Sequence, residues 1–389
     1  MSREGFSLLE SLQFIKEFEQ KKGDAIVNRG NLYRLKTCIR RAMKGETLRI
    51  GFFGGSITQG SLASSEKTCY AWLVYKWWVT TFPQAKFEYI NGGIGGTSSL
   101  YGVARVDRDL LAYQPDFVIV DFSVNDESTK FFQETYEGLI RKILKFSENV
   151  SVLLLHNVFY DSGKNAQEQH LELGKRYGLP CISMKESLYS MVLQDLCDRR
   201  DLTEDDLHPN DQGHKLLSLI IISFLEEVYQ EVKEDKEIEG KQKLEEQKPL
   251  TGNAYENAVL LQNKELESRL EGFERDLRKK EHRLDLFKNG FMAWKTGDRI
   301  SFSVECSCLA IQYLKSIRKP VPVAELVIDG NKEHHVLLDG NFEEEWGDCL
   351  YLQSVLHHAE RKIHTVEITI LDSKVEYIQP FYLVAIICS

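Results

Sequence analysis

No window of the 389-residue chain approaches the roughly 20 apolar residues that a membrane-spanning helix needs. The formal net charge is −10, which argues against a nucleic-acid partner or an anionic membrane surface, both of which need clustered Lys and Arg. The cysteines (Cys38, Cys69, Cys181, Cys197, Cys306, Cys308, Cys349, Cys388) are scattered. Only Cys306 and Cys308 stand close, as a CxC without accompanying His/Cys zinc spacing, so no metal site is expected. The opening MSREGFSLLESLQFIKEFEQKKG offers neither the continuous apolar stretch nor the small-residue cleavage site of a signal peptide. Its apolar residues Phe6, Leu8, Leu9, Leu12, Ile15 and Phe18 recur at helical spacing, broken by Glu10, Lys16 and Glu17. The expectation is a cytoplasmic protein with buried, reduced thiols.

What is present is a globular composition, 42% apolar and 11% aromatic. From Leu48 to Leu225, apolar runs alternate with amphipathic segments. LRIGFFG, FEYIN, DFVIVDFS, VSVLLLHNVF and CISM are apolar on both faces, as parallel strands buried between helices must be. AWLVYKWWVTTF, YEGLIRKILKF and AQEQHLELGKRYG between them carry helical periodicity. Such alternation predicts a doubly wound α/β domain with a five-stranded parallel sheet and a site at the strands' C-terminal ends. This domain is assigned to residues 1–230. Residues 231–285 form a charged linker and helical segment, in which QNKELESRLEGFERDLRKKEHR is expected as a helix interrupted at Gly272. In residues 286–389 the pattern changes. RISFSVEC, AELVIDGNKEHHVLLDG and HTVEITIL alternate apolar with polar residues, with turn signals at Asp329–Gly330 and Asp339–Gly340, predicting a β-sandwich.

Four constellations follow successive predicted strands. Gly54-Gly55-Ser56-Ile57-Thr58-Gln59-Gly60 places a serine at a strand-to-helix turn, where unpaired N–H groups can receive an oxyanion; a plain turn is the alternative. Asn91-Gly92-Gly93-Ile94-Gly95-Gly96-Thr97-Ser98 suggests a backbone approached closely, or a flexible loop. In Ser123-Val124-Asn125-Asp126 the Asn amide could donate to a developing negative charge, or merely form a turn. Asp205 and His208 are three apart, so one loop can present both, the carboxylate orienting the imidazole; a capping Asp beside a surface His is the bland reading. His214 is taken as solvated or structural.

In this order the four blocks resemble those of the SGNH (GDSL-like) hydrolase superfamily, over about Leu48 to Glu226. The resemblance implies Ser56 as nucleophile, Asp205 and His208 as its partners, and Ser56, Gly96 and Asn125 as oxyanion-hole donors. Gly55 departs from the family's usual Asp and Ser123 from its Gly, though neither position supplies a catalytic group. TCYAWLVYKWW, NGGIGGTSSLYGVARVDRDLL, DFVIVDFSVND and LDGNFEEEWGDCLYL further resemble two-domain bacterial acetylesterases with a C-terminal carbohydrate-binding-like domain, which deacetylate plant mannan fragments. That implies a cofactor-independent serine esterase acting on acetylated carbohydrate, and leaves a homo-oligomer open. A lipid or thioester acylhydrolase, or an acyltransferase using the same triad, is the alternative. On the alcohol side Trp346, Trp294, Tyr351 and Tyr313 are candidate sugar contacts, Trp346 foremost because it lies in the acidic run Asn341–Gly347. Trp72, Tyr75, Trp77 and Trp78 are expected on a helix's buried face.

Overall fold

A computed structural model of the chain describes residues 12–234, 240, 244, 247–344, 346–372 and 376–389. The helical spacing read for the first eleven residues, and most of the charged stretch after 234, lie outside them. The chain divides into two compact units. One runs to Asn253, save Val103–Arg105, which group with the second; the other comprises Ala254–Ser389.

The first unit carries strands β1 (Ile26–Asn28), β2 (Thr47–Gly54), β3 (Lys86–Asn91), β4 (Phe117–Asp121), β5 (Ser151–His156) and β6 (Cys181–Ser183). Its helices are α1 (Leu12–Asp24), α2 (Tyr33–Met43), α3 (Ser56–Gln59), α4 (Tyr70–Thr81), α5 (Ser99–Asp109), α6 (Lys130–Phe146), α7 (Gln167–Arg176), α8 (Ser190–Leu193) and α9 (Asp211–Lys233). The five expected strands are β2 to β6, parallel in the order β6-β5-β4-β2-β3. The sheet has a sixth member: β1 adds antiparallel to the edge of β6. At three residues it is too short to show a period, so the sequence gives no signal for it.

Strand order reverses at β2, whose neighbours are β3 on one side and β4 on the other. The crevice between the carboxyl ends of β2 and β4 is therefore the topological switch point, where doubly wound sheets bind ligands. Ser56 follows β2 and Asn125 follows β4. One face of the sheet packs on α1, α2, α4 and α9 through residues including Phe52, Trp78, Phe117, Leu155 and Phe224. Trp77 and Trp78 of α4 are buried in this core, while Trp72 and Tyr75 pack half-buried beside Tyr89.

The second unit is a β-sandwich. Its strands are β7 (Val259–Leu261), β8 (Ser268–Glu271), β9 (Glu274–Arg275), β10 (Phe291–Ala293), β11 (Arg299–Cys306), β12 (Leu309–Lys315), β13 (Val323–Ile328), β14 (Val336–Asp339), β15 (Cys349–Leu356), β16 (Lys362–Ile370) and β17 (Phe381–Cys388). One sheet runs β15-β12-β17-β10-β9, with β7 also on β17; the other runs β14-β13-β16-β11-β8. Alternation along β11 buries Ile300, Phe302, Val304 and Cys306 and turns Ser303 and Glu305 outward.

One expectation is corrected by the structure. The helix expected over QNKELESRLEGFERDLRKKEHR is instead β8, β9 and connecting turns, within the sandwich unit. Leu266, Leu270, Phe273 and Leu277 are spaced as on a helix face. Yet Leu270 pairs with Ile300 across β8 and β11, Phe273 enters the sandwich core, and Leu277 is exposed. Gly272 adopts φ +88°, which ends any helix there. At the turn signals, Asp329 and Gly330 take positive φ, and after β14 the Asp339 carboxylate accepts the Asn341 N–H at 2.9 Å while a Cβ on Gly340 would meet Val321 Cγ1 at 2.6 Å.

Candidate active site

The serine at the end of β2 is the first residue of α3, a single helical turn closed by Gly60 at φ +99°. Its hydroxyl donates to His208 Nε2 at 2.8 Å, and His208 Nδ1–H donates to Asp205 Oδ2 at 2.6 Å. Ser56 and His208 are 152 positions apart in the chain, so only the fold unites them. Such a chain can strip the serine proton while the carboxylate fixes the tautomer and steadies the imidazolium.

The Asp205–His208 loop is built to hold that geometry. Asp205 Oδ1 accepts the backbone N–H groups of Leu207 (3.0 Å) and His208 (2.8 Å), leaving Oδ2 for the ring. Partial burial pushes the Asp205 carboxyl up, but bonds from the His208 ring and these two amides outweigh it and hold it below its ordinary value. Asp206 turns the chain at φ +68°, with its carboxylate between Arg199 and Arg200. Asn210 then caps α9 by accepting from Gly213 N–H. Asp211 reaches back to bind both the N–H and the hydroxyl of Ser64, joining this loop to the segment after the serine. His214 is structural. It is fully buried, accepts from Tyr70 N–H, faces the Ser61 carbonyl, and burial pushes it down to about 4.

Three unspent donors surround the serine. The Ser56 N–H, the Gly96 N–H and the Asn125 side-chain amide make no hydrogen bond among the described residues. Asn125 packs so closely on Gly55 that a Cβ there would stand 2.1 Å from its Oδ1. The family's usual Asp could not occupy position 55 with Asn125 so placed. On the other side a Cβ on Gly95 would lie 3.5 Å from Ser56 Cβ, and Gly96 beside it takes φ +66°. Ser123, where the family has Gly, donates its hydroxyl to the Asn157 carbonyl at 2.9 Å and so ties β4's end to β5's.

Several residues to which the sequence reading gave no role hold these blocks together. Gln59 Oε1 accepts Gly95 N–H at 2.7 Å, and Asn91 donates to the Thr58 carbonyl at 2.9 Å while accepting from Gly93 N–H. Beneath them Asp121, at the end of β4, is fully buried. Its Oδ2 accepts from Thr58 (3.2 Å) and Asn157 (3.0 Å), and burial pushes its carboxyl up to about 7. A buried Asp in an otherwise apolar strand was the available signal.

The other candidates lie in the sandwich unit. Tyr313 is buried and stacks on Phe381, so it is a core residue and not a sugar contact. Tyr351 lies half-buried under Lys315 Nζ, and Trp294 is half exposed. Trp346 presents 61% of its surface; its indole N–H donates to Glu344 and its ring meets Phe342 edge-on at 5.0 Å.

Residues 52–216 match the model of the GDSL-like Lipase/Acylhydrolase family. A two-domain esterase (CEX) active on acetylated mannans is 47% identical, with TM-score 0.91, over 95% of this chain and 98% of that one. A structure of that esterase co-crystallized with mannopentaose matches with TM-score 0.90 at the same identity and coverage. Thioesterase 1/protease 1/lysophospholipase L1 of Escherichia coli K12 is 32% identical over 105 residues, 27% of this chain and 47% of its own length. An acetylxylan esterase of Geobacillus stearothermophilus is 23% identical over 212 residues, 47% of this chain and 95% of that one. The likeness across nearly the whole of a two-domain relative settles the family: the chain belongs to the GDSL-like lipase/acylhydrolases and is an esterase of the SGNH type.

Proposed function

We propose that the protein removes acetyl groups from mannan-type oligosaccharides, with Ser56 as nucleophile. The observation that carries the substrate class is the 47% identity, over 98% of its length, to an esterase active on acetylated mannans. In this reading His208 takes the Ser56 proton as the ester carbonyl is attacked, then protonates the leaving sugar oxygen. Asp205 holds the ring and stabilises its transient charge. The N–H groups of Ser56 and Gly96 and the amide of Asn125 receive the oxyanion, their unspent state leaving all three available. Water then cleaves the acyl-enzyme by the same route. Each step uses groups of the chain itself, so no cofactor is invoked.

Trp346 is assigned a sugar contact, supported by its exposure and by the polar handle that Glu344 fixes. The reading also places the protein in the cytoplasm, where its buried, unpaired cysteines would stay reduced. Acetate release from acetylated mannan, xylan and simple sugar esters tests the substrate class. Preference for mannan fragments is expected. Equal or better rates on acetylated xylan, or on long-chain p-nitrophenyl esters, would overturn it.

A further inference from the structure

Behind the proposed oxyanion donors stands a second Asp–His pair with no place in the reaction described above. We infer that Asp126 and His170 are positioning residues that hold Asn125 and Gly96 in register; this rests on the oxyanion reading given under Proposed function.

Asp126 follows Asn125 directly, and the N–H groups of both bond the same carbonyl, Phe122 O, at 3.0 Å. Whatever fixes the Asp126 side chain therefore fixes the tight turn that aims the Asn125 amide. Its two carboxylate oxygens are used separately. Oδ1 accepts the N–H of Ser99, the first residue of α5, at 2.8 Å; Oδ2 accepts from His170 Nε2 at 3.1 Å. Ser99 comes three residues after Gly96, across a turn that Thr97 closes by donating to the Ile94 carbonyl. One carboxylate thus joins the loops that supply two of the three donors.

His170 orients that carboxylate from the far side. Both side chains are fully buried. The His170 ring lies flat on Tyr136 of α6, centroids 3.6 Å apart and planes 14° from parallel, which fixes the plane of the ring. Its helix, α7, is tied to the same turn a second time, because Ala166 N–H donates to the Ser123 carbonyl at 2.7 Å. Burying a carboxylate and an imidazole this deeply is a poor device for stability alone. Preorganised donors, by contrast, owe their effect to being held before charge develops, and small misplacements cost turnover.

The test is a cycle of variants assayed on p-nitrophenyl acetate, with folding checked by circular dichroism. His170→Phe keeps the stacked ring and removes the donor. It should lower kcat on the order of 10- to 100-fold with KM little changed. His170→Gln, which restores an N–H donor, should recover most of that loss. In an Asn125→Ala background, His170→Phe should add clearly less than it costs alone, because part of what it positions is gone. If His170→Phe does not fold, Asp126→Asn substitutes for it, keeping an acceptor for Ser99 while setting an amide against the His170 N–H. Folded His170→Phe with kcat within about twofold of wild type, or losses that multiply fully in the double variant, would overturn the inference. If Asn125→Ala alone left kcat unchanged, the oxyanion reading itself would fall instead.

Discussion

Asn125 separates ground-state from transition-state binding more cleanly than any other residue of the site. Its amide makes no hydrogen bond among the described residues, and in the proposed reaction its bond strengthens only as the oxyanion forms. Asn125→Ala is expected to lower kcat by roughly 10²–10³ with little change in KM; a rise in KM alone would show that it binds the substrate ester. Asp121 gives a prediction of a different kind. Burial lifts its carboxyl to about 7, above its unfolded value, so the native state holds the proton longer than the unfolded chain does. This group's contribution to stability is therefore greatest at low pH. It declines as pH rises from the ordinary carboxylate range to about 7, and is level above that. Asp121→Asn removes that slope, so its Tm relative to wild type should climb between pH 4 and pH 8; a constant difference would mean that Asp121 does not hold its proton. The residues of the proposed reaction were legible because Ser56, Asn125, Asp205 and His208 sit in short local blocks. Asp121, Asp126 and His170 were not. Their partners lie 27 to 63 positions away, and no local pattern encodes such contacts.

Among the elements, the five parallel strands were readable, whereas the antiparallel edge strand β1 and the short strands β8 and β9 were not. Beta strands β2, β4 and β5 are buried almost throughout and announce themselves as continuous apolar runs. The edge strand β1 and the strands β8 and β9 bury too few side chains to leave a period. The apolar spacing that suggested a helix over 262–283 arose from residues that serve separate strands and turns. Helix α4 was legible from its aromatics, and Trp78 is its main anchor, packed against Phe82, Phe87 and Phe117. Trp78→Ala should cost about 3–5 kcal/mol of stability, measured by denaturant unfolding. The Trp78 Nε1–H is buried without a partner among the described residues, so Trp78→Phe removes an unsatisfied donor and should cost much less. Equal losses for the two variants would mean that aromatic volume is not what matters there.

For the whole molecule, the sandwich unit is the part whose contribution to turnover is least fixed by chemistry. Small activated esters need only the triad and the oxyanion donors. Trp346→Ala should therefore slow hydrolysis of an acetylated mannan oligosaccharide far more than that of p-nitrophenyl acetate. Equal losses on both would mark the indole as structural. The central claim, that one serine carries the ester chemistry, is tested most directly by acetate release from acetylated mannan oligosaccharides by wild-type protein and by folded Ser56→Ala. Ser56 is buried at a turn and among the described residues its hydroxyl bonds only His208, so its loss should leave the fold intact. Turnover should drop on the order of 10⁶-fold, since nucleophile and base act as a unit. Acetate release by the folded variant at a rate near that of wild type would contradict the account.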